Sequence, residues 1–209
     1  MFMDPIEDPK RSESPYLVRA EEARILELSA LEALGRRMEG AGGRLEARVC
    51  VTGPVELYIS RFGATDYRDI LDNLARSVGR FVEMAKLSRH FQVAVISIDE
   101  PSLGISPNVI FDDDEIKKAL EIAARPCGGI DCEVHLHSPL MAEACSSVPG
   151  INVIGVDRQQ IPTTSASSTA GFWRTMEPPP GRDRKNQHLQ YGGKGVNTPR
   201  GHSTAVIPI

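Results

Sequence analysis

The sequence has no long hydrophobic run, few cysteines and no excess of basic residues. A helix that spans a bilayer needs roughly 20 consecutive apolar residues, and no stretch of the 209 residues comes near that length, so we expect no membrane partner. Four cysteines are too few for a disulfide scaffold in a chain of this size, which predicts reduced thiols. The formal net charge is -4, whereas a nucleic-acid-binding domain presents a basic patch, so nucleic acid is not an expected partner.

The first ten residues also lack the pattern of a secretory signal. Residues 1–10 carry acids and prolines, where a signal peptide has a basic segment followed by an apolar one. We therefore expect a cytoplasmic protein. The content of 41% hydrophobic and 25% charged residues is typical of a soluble domain with a sizeable buried core.

Amphipathic helices alternate with short apolar strands along most of the chain. Apolar residues three and four positions apart predict helices over 20–38, 67–86 and 112–123. Runs rich in β-branched residues predict strands over 47–52, 93–98, 132–137 and 151–156. Strands that are apolar on both faces, alternating with helices, are typical of a parallel sheet with covered faces. A doubly wound sheet and a TIM-type (β/α) barrel both fit this pattern.

The segment after Pro162 differs from the rest of the chain. It is rich in Ser, Thr, Pro, Gly and Arg and has no sustained hydrophobic period. We therefore predict a domain over residues 1–162 and a disordered tail over 163–209. A second interpretation is that the tail is translated out of frame, because codons for 164–175 shifted by one nucleotide can encode a helix-like continuation. An immediate stop codon in the shifted frame of the gene would refute this second interpretation.

Polar or unusual residues lie at or just past the end of each predicted strand. They are Thr52-Gly53-Pro54, Asp99 with Glu100, His135 with His137, and Asp157. In parallel α/β folds the carboxyl ends of the strands meet on one rim, which carries the active site in TIM barrels. His135 and His137 are two positions apart on a strand, so both point to the same side of the sheet. Histidines and carboxylates gathered there have the makings of a zinc site or an acid–base site.

Each of these residues also has an ordinary structural interpretation. Asp99 or Glu100 can cap a helix or a turn, since acids before proline are common turn residues. A lone histidine in an apolar strand is more often a hydrogen-bonded core residue than a ligand, and Asp157 alone is typical of a loop. Their occurrence together, at equivalent points of successive repeats, favours the functional interpretation.

The motifs at these strand ends resemble the catalytic domain of cobalamin-independent methionine synthase, and more closely its archaeal single-domain relatives. Val51-Thr-Gly-Pro-Val-Glu56 is similar to the family's Thr-Gly-Pro strand end, and Ser97-Ile-Asp-Glu-Pro-Ser-Leu103 to its Ile-Asp-Glu-Pro-Ala-Leu motif. Glu133-Val-His-Leu-His137 is similar to its Ile-His-Thr-His segment. Asn152-Val-Ile-Gly-Val-Asp157 occupies the place of the family strand that ends in glutamate. The resemblance covers roughly residues 4–162 in consistent order.

The resemblance implies a fold and a reaction. The fold is a partial (β/α) barrel of the kind shared by methionine synthase and uroporphyrinogen decarboxylase, with parallel strands inside and helices outside. The reaction is zinc-assisted transfer of a methyl group to a homocysteine-like thiol in methionine biosynthesis. The methyl donor and co-substrate is a methyl-folate or a methyl-corrinoid.

The resemblance also implies roles for individual residues. His137 matches the family's histidine ligand of zinc, and Asp157 matches its glutamate ligand. Asp99 matches the aspartate that holds the amino group of homocysteine. Glu100 is the adjacent motif acid, to which we assign an orienting role. Asp99, Glu100 and His135 form the predicted catalytic group, and His137 with Asp157 the predicted metal pair.

The chain departs from the family pattern at the metal. Pro139 stands where the family has a cysteine ligand, and the last cysteine ligand of the family belongs to a part of the domain that would follow Pro162. His135 and Cys145 are the candidates to replace these ligands. We also expect the opening strands of a complete barrel to precede Met1, so that this chain alone has impaired activity.

Two other functions fit the same rim. One is a related barrel enzyme, either a corrinoid-dependent methyltransferase, for which a corrinoid protein is the expected partner, or a uroporphyrinogen decarboxylase-like enzyme. The other is a non-catalytic binding or accessory protein, which Pro139 favours because proline cannot bind a metal.

Overall fold

Parallel strands form the largest sheet of the structure. The computed structural model describes residues 3–157 and the backbone of one further strand. In chain order the strands are β1 (Ser12–Ser14), β2 (Leu17–Val18), β3 (Glu46–Thr52), β4 (Gln92–Asp99), β5 (Asp131–Leu136), β6 (Val153–Asp157) and β7 (Thr204–Pro208). The rest of the predicted tail lies outside the described residues, as does the out-of-frame interpretation.

The main sheet has the strand order β3-β4-β5-β6-β7. Strands β3 to β6 are all parallel, and β7 runs antiparallel to β6. The short strands β1 and β2 form a separate antiparallel hairpin. The predicted α/β class with parallel strands is therefore confirmed, and closure of these strands into a barrel stays a prediction.

Helices flank the parallel sheet. They are α1 (Asp4–Glu7), α2 (Leu28–Gly40), α3 (Pro54–Phe62), α4 (Arg68–Lys86), α5 (Asp113–Ala124) and α6 (Ala142–Ser146), with 3-10 turns at Ala20–Glu22, Arg125–Cys127 and Pro139–Met141. The start of α5 is a capping box, in which Asp112 accepts from the Glu115 N–H and Glu115 accepts from the Asp112 N–H. No helix within residues 3–157 is long and apolar enough to cross a membrane.

The two faces of the sheet differ in polarity because side chains alternate along each strand. One face is apolar and shares a single buried cluster with α4 and α5; its strand residues include Val49, Val51, Ile96, Ile98, Val134 and Leu136, and its helix residues include Leu74, Val78, Phe81 and Leu120. The opposite face carries Arg48, Ser97, Asp99, Glu133 and His135 at the alternate positions. The polar face is the one that leads to the candidate site.

The predicted helix over 20–38 was wrong in its first part. The structure has a 3-10 turn at Ala20–Glu22, and α2 begins only at Leu28. The Glu22 carbonyl accepts hydrogen bonds from the Arg11 guanidinium and from the Arg24 N–H, both at 2.8 Å. In a continuous helix the Glu22 carbonyl would accept the N–H of the residue four positions later. Because this carbonyl already accepts two other hydrogen bonds, the chain turns before α2 begins.

Helix α3 was not predicted from the sequence. Gly53 and Pro54 were assigned only to the end of a predicted strand, whereas Pro54 is the first residue of α3. Proline suits this position because the first amide of a helix has no intrahelical acceptor and the proline φ is already helical. The other predicted helices, and the four predicted strands to within two residues, are confirmed.

Two glycines of α2 give a matched test of its packing. A Cβ on Gly35 would lie 1.8 Å from the His90 carbonyl oxygen, which belongs to the backbone and cannot rotate away, whereas a Cβ on Gly40 would meet nothing within 4 Å. We expect Gly35→Ala to lower the free energy of unfolding by about 1–3 kcal/mol through this overlap. Gly40→Ala should leave it unchanged or raise it slightly, since alanine favours helix. Urea denaturation of both variants tests this, and equal stabilities would contradict the close packing of α2 on His90.

Candidate metal and active site

Four side chains meet at the carboxyl end of the polar face. Asp99, His135 and Asp157 lie at or near the ends of β4, β5 and β6, and His137 follows β5 directly. Asp99 is paired with His135 across the β4–β5 ladder, and paired residues of neighbouring strands point to the same side. The structure thus brings together four of the five residues that the sequence singled out.

Asp157 contacts both histidines. Its Oδ1 lies 3.5 Å from His135 Nε2, and its Oδ2 lies 3.6 Å from His137 Nε2. On the other side of the His135 ring, Nδ1 lies 3.7 Å from Asp99 Oδ1. The two imidazole rings pack edge to face with centroids 5.6 Å apart. The His135 imidazole therefore lies between two carboxylates, with a different carboxylate facing each nitrogen.

Three of these side chains have the spacing of a metal site. One ligand atom each from His135, His137 and Asp157 lies within 4.8 Å of the others. Bonds of about 2.1 Å place the ligands of a tetrahedral zinc ion about 3.4 Å apart. Each histidine has one Asp157 oxygen near this distance, Oδ1 at 3.5 Å for His135 and Oδ2 at 3.6 Å for His137. Two imidazoles and one carboxylate are zinc donors, and a catalytic zinc ion keeps its fourth position open for substrate.

His135 Nε2 supports the same interpretation. It is a buried nitrogen that has no hydrogen-bond partner within the described part of the chain. Buried polar atoms are normally paired, because an unpaired one costs about 1–3 kcal/mol. The atom faces Asp157, so a cation between them would satisfy it. The side chains of His135 and Asp157 are 18% and 20% exposed and that of His137 is 44% exposed, so the cluster opens to solvent beside His137.

Glu100 faces a different part of the structure. Its side chain is fully buried, its Oε1 accepts the Val55 N–H at 2.9 Å, and its Oε2 accepts the Glu56 N–H at 2.7 Å. These amides belong to the first turn of α3 and have no acceptor within the helix. The contacts of Glu100 thus favour its interpretation as a helix cap over an orienting role at the site.

Burial also changes the acidity of Glu100. It raises the pKa of this carboxyl to about 8, while the two backbone N–H bonds oppose the rise. The carboxyl fits only because residue 53 is glycine, since a Cβ on Gly53 would lie 2.3 Å from the Glu100 Cδ atom. The glycine of the Thr-Gly-Pro strand end therefore makes room for the buried cap.

Three residues on the polar face beneath the cluster were missed by the sequence interpretation. Arg48 Nη2 donates to Glu133 Oε1 at 2.8 Å and to Ser97 Oγ at 3.1 Å. Ser97 Oγ in turn donates to Asp99 Oδ1 at 2.8 Å. We call Arg48, Ser97 and Glu133 the support layer. The available signal was the period of two, which places Ser97 on the side of Asp99 and Glu133 on the side of His135.

Glu133 is nearly fully buried within the support layer. Its side chain is 1% exposed, whereas that of its partner Arg48 is 37% exposed. Burial raises the pKa of Glu133, and the Arg48 guanidinium opposes this rise. A buried carboxylate without a partner is costly, so the ion pair accounts for the presence of Arg48 on this strand.

Of the two candidates to replace the missing cysteine ligands, only His135 lies in the cluster. Cys145 is fully buried in α6, and burial raises the pKa of its thiol to about 12, which disfavours the thiolate that binds metals. Pro139 is the first residue of a 3-10 turn, where the Ser138 hydroxyl accepts the Leu140 N–H. Proline at this position is consistent with a local role in the turn.

Comparisons with known proteins give no match to this chain. No family model matches it, and no curated protein or solved structure does so. The function proposed below therefore rests on the geometry of the cluster together with the motifs at the strand ends.

Proposed function

We propose that this chain carries a methyltransferase site of the cobalamin-independent methionine synthase type, which transfers a methyl group to a thiol with the help of zinc. The observation that carries the proposal is the cluster of His135, His137 and Asp157 at the ends of neighbouring parallel strands, with ligand atoms within 4.8 Å of one another. The motif resemblance assigns two of these residues to zinc. We further propose that the parallel sheet is part of a (β/α) barrel whose interior is the polar face.

Each residue has a task in this proposal. His135, His137 and Asp157 hold the zinc ion, which when bound keeps a coordinated thiol deprotonated at neutral pH. The side chain of Asp99 is 35% exposed beside the cluster, so its carboxylate can receive the ammonium group of an amino-acid thiol. Exposure of His137 leaves an entrance for the thiol and the methyl donor. Glu100 serves the site indirectly, by fixing the start of α3.

This ligand set differs from that of the family because it contains no thiolate. His135 takes the place that a cysteine has there, so the set has one anionic ligand, Asp157. A less negative set leaves more positive charge on the metal, which binds an incoming thiolate more strongly but makes it a weaker nucleophile. We expect slower methyl transfer than from a site with two cysteine ligands.

A second candidate function follows from the same donor set. Two histidines and one carboxylate hold zinc in several hydrolases, where the metal lowers the pKa of a bound water. The absence of a cysteine from the cluster, within residues 3–157, favours this metal-assisted hydrolysis as the alternative. The two functions share the metal and differ in the substrate.

The test combines metal analysis with a product assay on the full chain. We expect stoichiometric zinc in the purified protein and formation of the S-methyl product from homocysteine and methyl-folate. Methyl-cobalamin in place of methyl-folate tests the corrinoid-dependent alternative. Zinc with ester hydrolysis but no thiol methylation would favour the second candidate. Neither zinc nor thiol methylation would overturn the proposal and favour a non-catalytic binding protein.

A further inference from the structure

The support layer lies directly beneath the metal cluster and has no role in the function proposed so far. We infer that it positions Asp99, and through Asp99 holds His135 with its Nε2 atom toward the metal. This inference rests on the proposed function, because it concerns how the same cluster binds zinc. Its residues are Arg48, Ser97 and Glu133, which act through Asp99 and touch neither the metal nor the substrate.

The layer is anchored by a buried charge. Glu133 is 1% exposed and pairs with Arg48 at 2.8 Å, so neither side chain can turn away without leaving a buried carboxylate unpaired. The same Arg48 nitrogen also reaches the Ser97 hydroxyl oxygen. Because the Ser97 oxygen accepts a hydrogen bond from Arg48, the Ser97 hydroxyl proton is free to be donated to a different acceptor.

The Ser97 proton is directed to Asp99. Ser97 is fully buried, and its hydroxyl donates to Asp99 Oδ1 at 2.8 Å. Asp99 is the last residue of β4 and its side chain is 35% exposed, so its side chain would otherwise be free to rotate. The bond from Ser97 fixes the carboxylate next to the His135 ring.

Asp99 then offers the His135 proton a place on Nδ1 when a metal ion occupies Nε2. The Nδ1 atom lies 3.7 Å from Asp99 Oδ1, while Nε2 lies 3.5 Å from Asp157 Oδ1 and makes no hydrogen bond within the described residues. Each carboxylate favours the proton on the imidazole nitrogen that it faces, so Asp99 favours Nδ1 and Asp157 favours Nε2. A zinc ion held between Nε2 and Asp157 would displace the Nε2 proton, and Asp99 would then hold the proton on Nδ1. The distance exceeds a direct hydrogen bond, so the attraction is electrostatic or passes through a water molecule.

Gly155 on the neighbouring strand provides space for this arrangement. A Cβ at this position would lie 2.1 Å from Glu133 Oε1 and 3.3 Å from His135 Cδ2. Glycine is therefore the residue that allows the Glu133 carboxylate and the His135 ring to lie side by side on the polar face. A larger residue must displace Glu133 from Arg48.

The experiment compares zinc affinity in Ser97→Ala and Ser97→Thr by competition with a chromophoric chelator. The alanine variant lacks the hydroxyl, whereas threonine keeps it and suits a strand. We expect Ser97→Ala to bind zinc about 10- to 100-fold more weakly, the usual effect of losing a residue that supports a metal ligand, and Ser97→Thr to recover most of the affinity. Gly155→Ala should weaken zinc binding in the same way.

A second measurement does not depend on how well these variants fold. In the 15N NMR spectrum of the zinc-loaded wild-type protein, we expect His135 to carry its proton on Nδ1 and to coordinate through Nε2. Coordination through Nδ1, or unchanged zinc affinity in folded Ser97→Ala, would overturn the inference while leaving the proposed function in place. Absence of zinc binding by the wild-type protein would overturn both.

Discussion

Zinc is expected to dissociate from the protein when any one of His135, His137 or Asp157 is replaced by a side chain that cannot bind it. His135→Ala, His137→Ala and Asp157→Asn each leave two protein ligands, and two ligands hold zinc much less tightly than three. Each loss should exceed the 10- to 100-fold weakening that removal of a supporting residue causes. Because the proposed reaction needs a thiol held on zinc, thiol methylation should fall with the metal content.

The controls use the same residue types away from the cluster. His90 pairs with Glu39 at 2.9 Å near α2, and the Asp114 side chain is 96% exposed in α5. His90→Ala and Asp114→Asn should retain the zinc content and affinity of the wild-type protein, as measured by atomic absorption and chelator competition. If the control variants lose as much zinc as the ligand variants, or if His135→Ala loses none, the three-residue site is wrong.

The second large effect is expected when Glu100 is replaced, and it concerns the stability of the fold, not zinc binding. In Glu100→Gln the amide nitrogen cannot accept a hydrogen bond, so one of the Val55 and Glu56 amides loses its acceptor in the interior. A buried donor without a partner costs about 1–3 kcal/mol, and we expect the free energy of unfolding to fall by that amount. The exposed acid Glu143 in α6 offers a matched control, and Glu143→Gln should unfold like the wild-type protein.

The same variant tests the pH dependence of stability. The pKa of Glu100 rises from 4.5 to about 8 on folding, so between these values the folded state holds a proton that the unfolded state has released. This contribution to stability is complete below pH 4.5, decreases as the pH rises, and is lost above about pH 8. Glutamine does not titrate, so the wild-type protein should lose more stability than Glu100→Gln between pH 5 and pH 8.5. If the free energies of unfolding of the two proteins, measured by urea denaturation, changed with pH in parallel, the buried Glu100 carboxyl would not titrate in this range.

Regular hydrophobic periods made much of the fold predictable from the sequence. Helix α4 was identified to within one residue of its start, because its apolar stripe extends over many turns and is almost entirely buried. Strand β4 was identified because its apolar run is short and rich in β-branched residues, which favours a buried strand over a buried helix. Helix α3 was missed because its start depends on Glu100, which is distant in sequence and caps its first amides.

The candidate site was predictable to a smaller extent. A period of two placed His135 and His137 on one side of β5, and the rule for parallel strand ends placed Asp99 and Asp157 nearby. The same period indicates that Asp99 and Glu100, adjacent in the chain, point to opposite sides, but it could not indicate that Glu100 reaches the start of α3. The period of two places Ser97 on the side of Asp99 and Glu133 on the side of His135, but the strand register that brings both to Arg48 leaves no local signal in the sequence.

The order of the parallel strands has a consequence for how the protein would acquire the proposed zinc ion. From β3 to β6 each strand pairs with the next one along the chain, so the sheet can grow in the direction of synthesis, one neighbour at a time. His135 lies on the third of these strands, His137 follows it directly, and Asp157 ends the fourth. The proposed ligand set is therefore assembled only after β6 has paired with β5. The proposed zinc ion would bind only after β6 has paired with β5 and would stabilise that pairing by mass action. Zinc added during refolding should therefore leave the early steps unchanged and keep β6 from detaching.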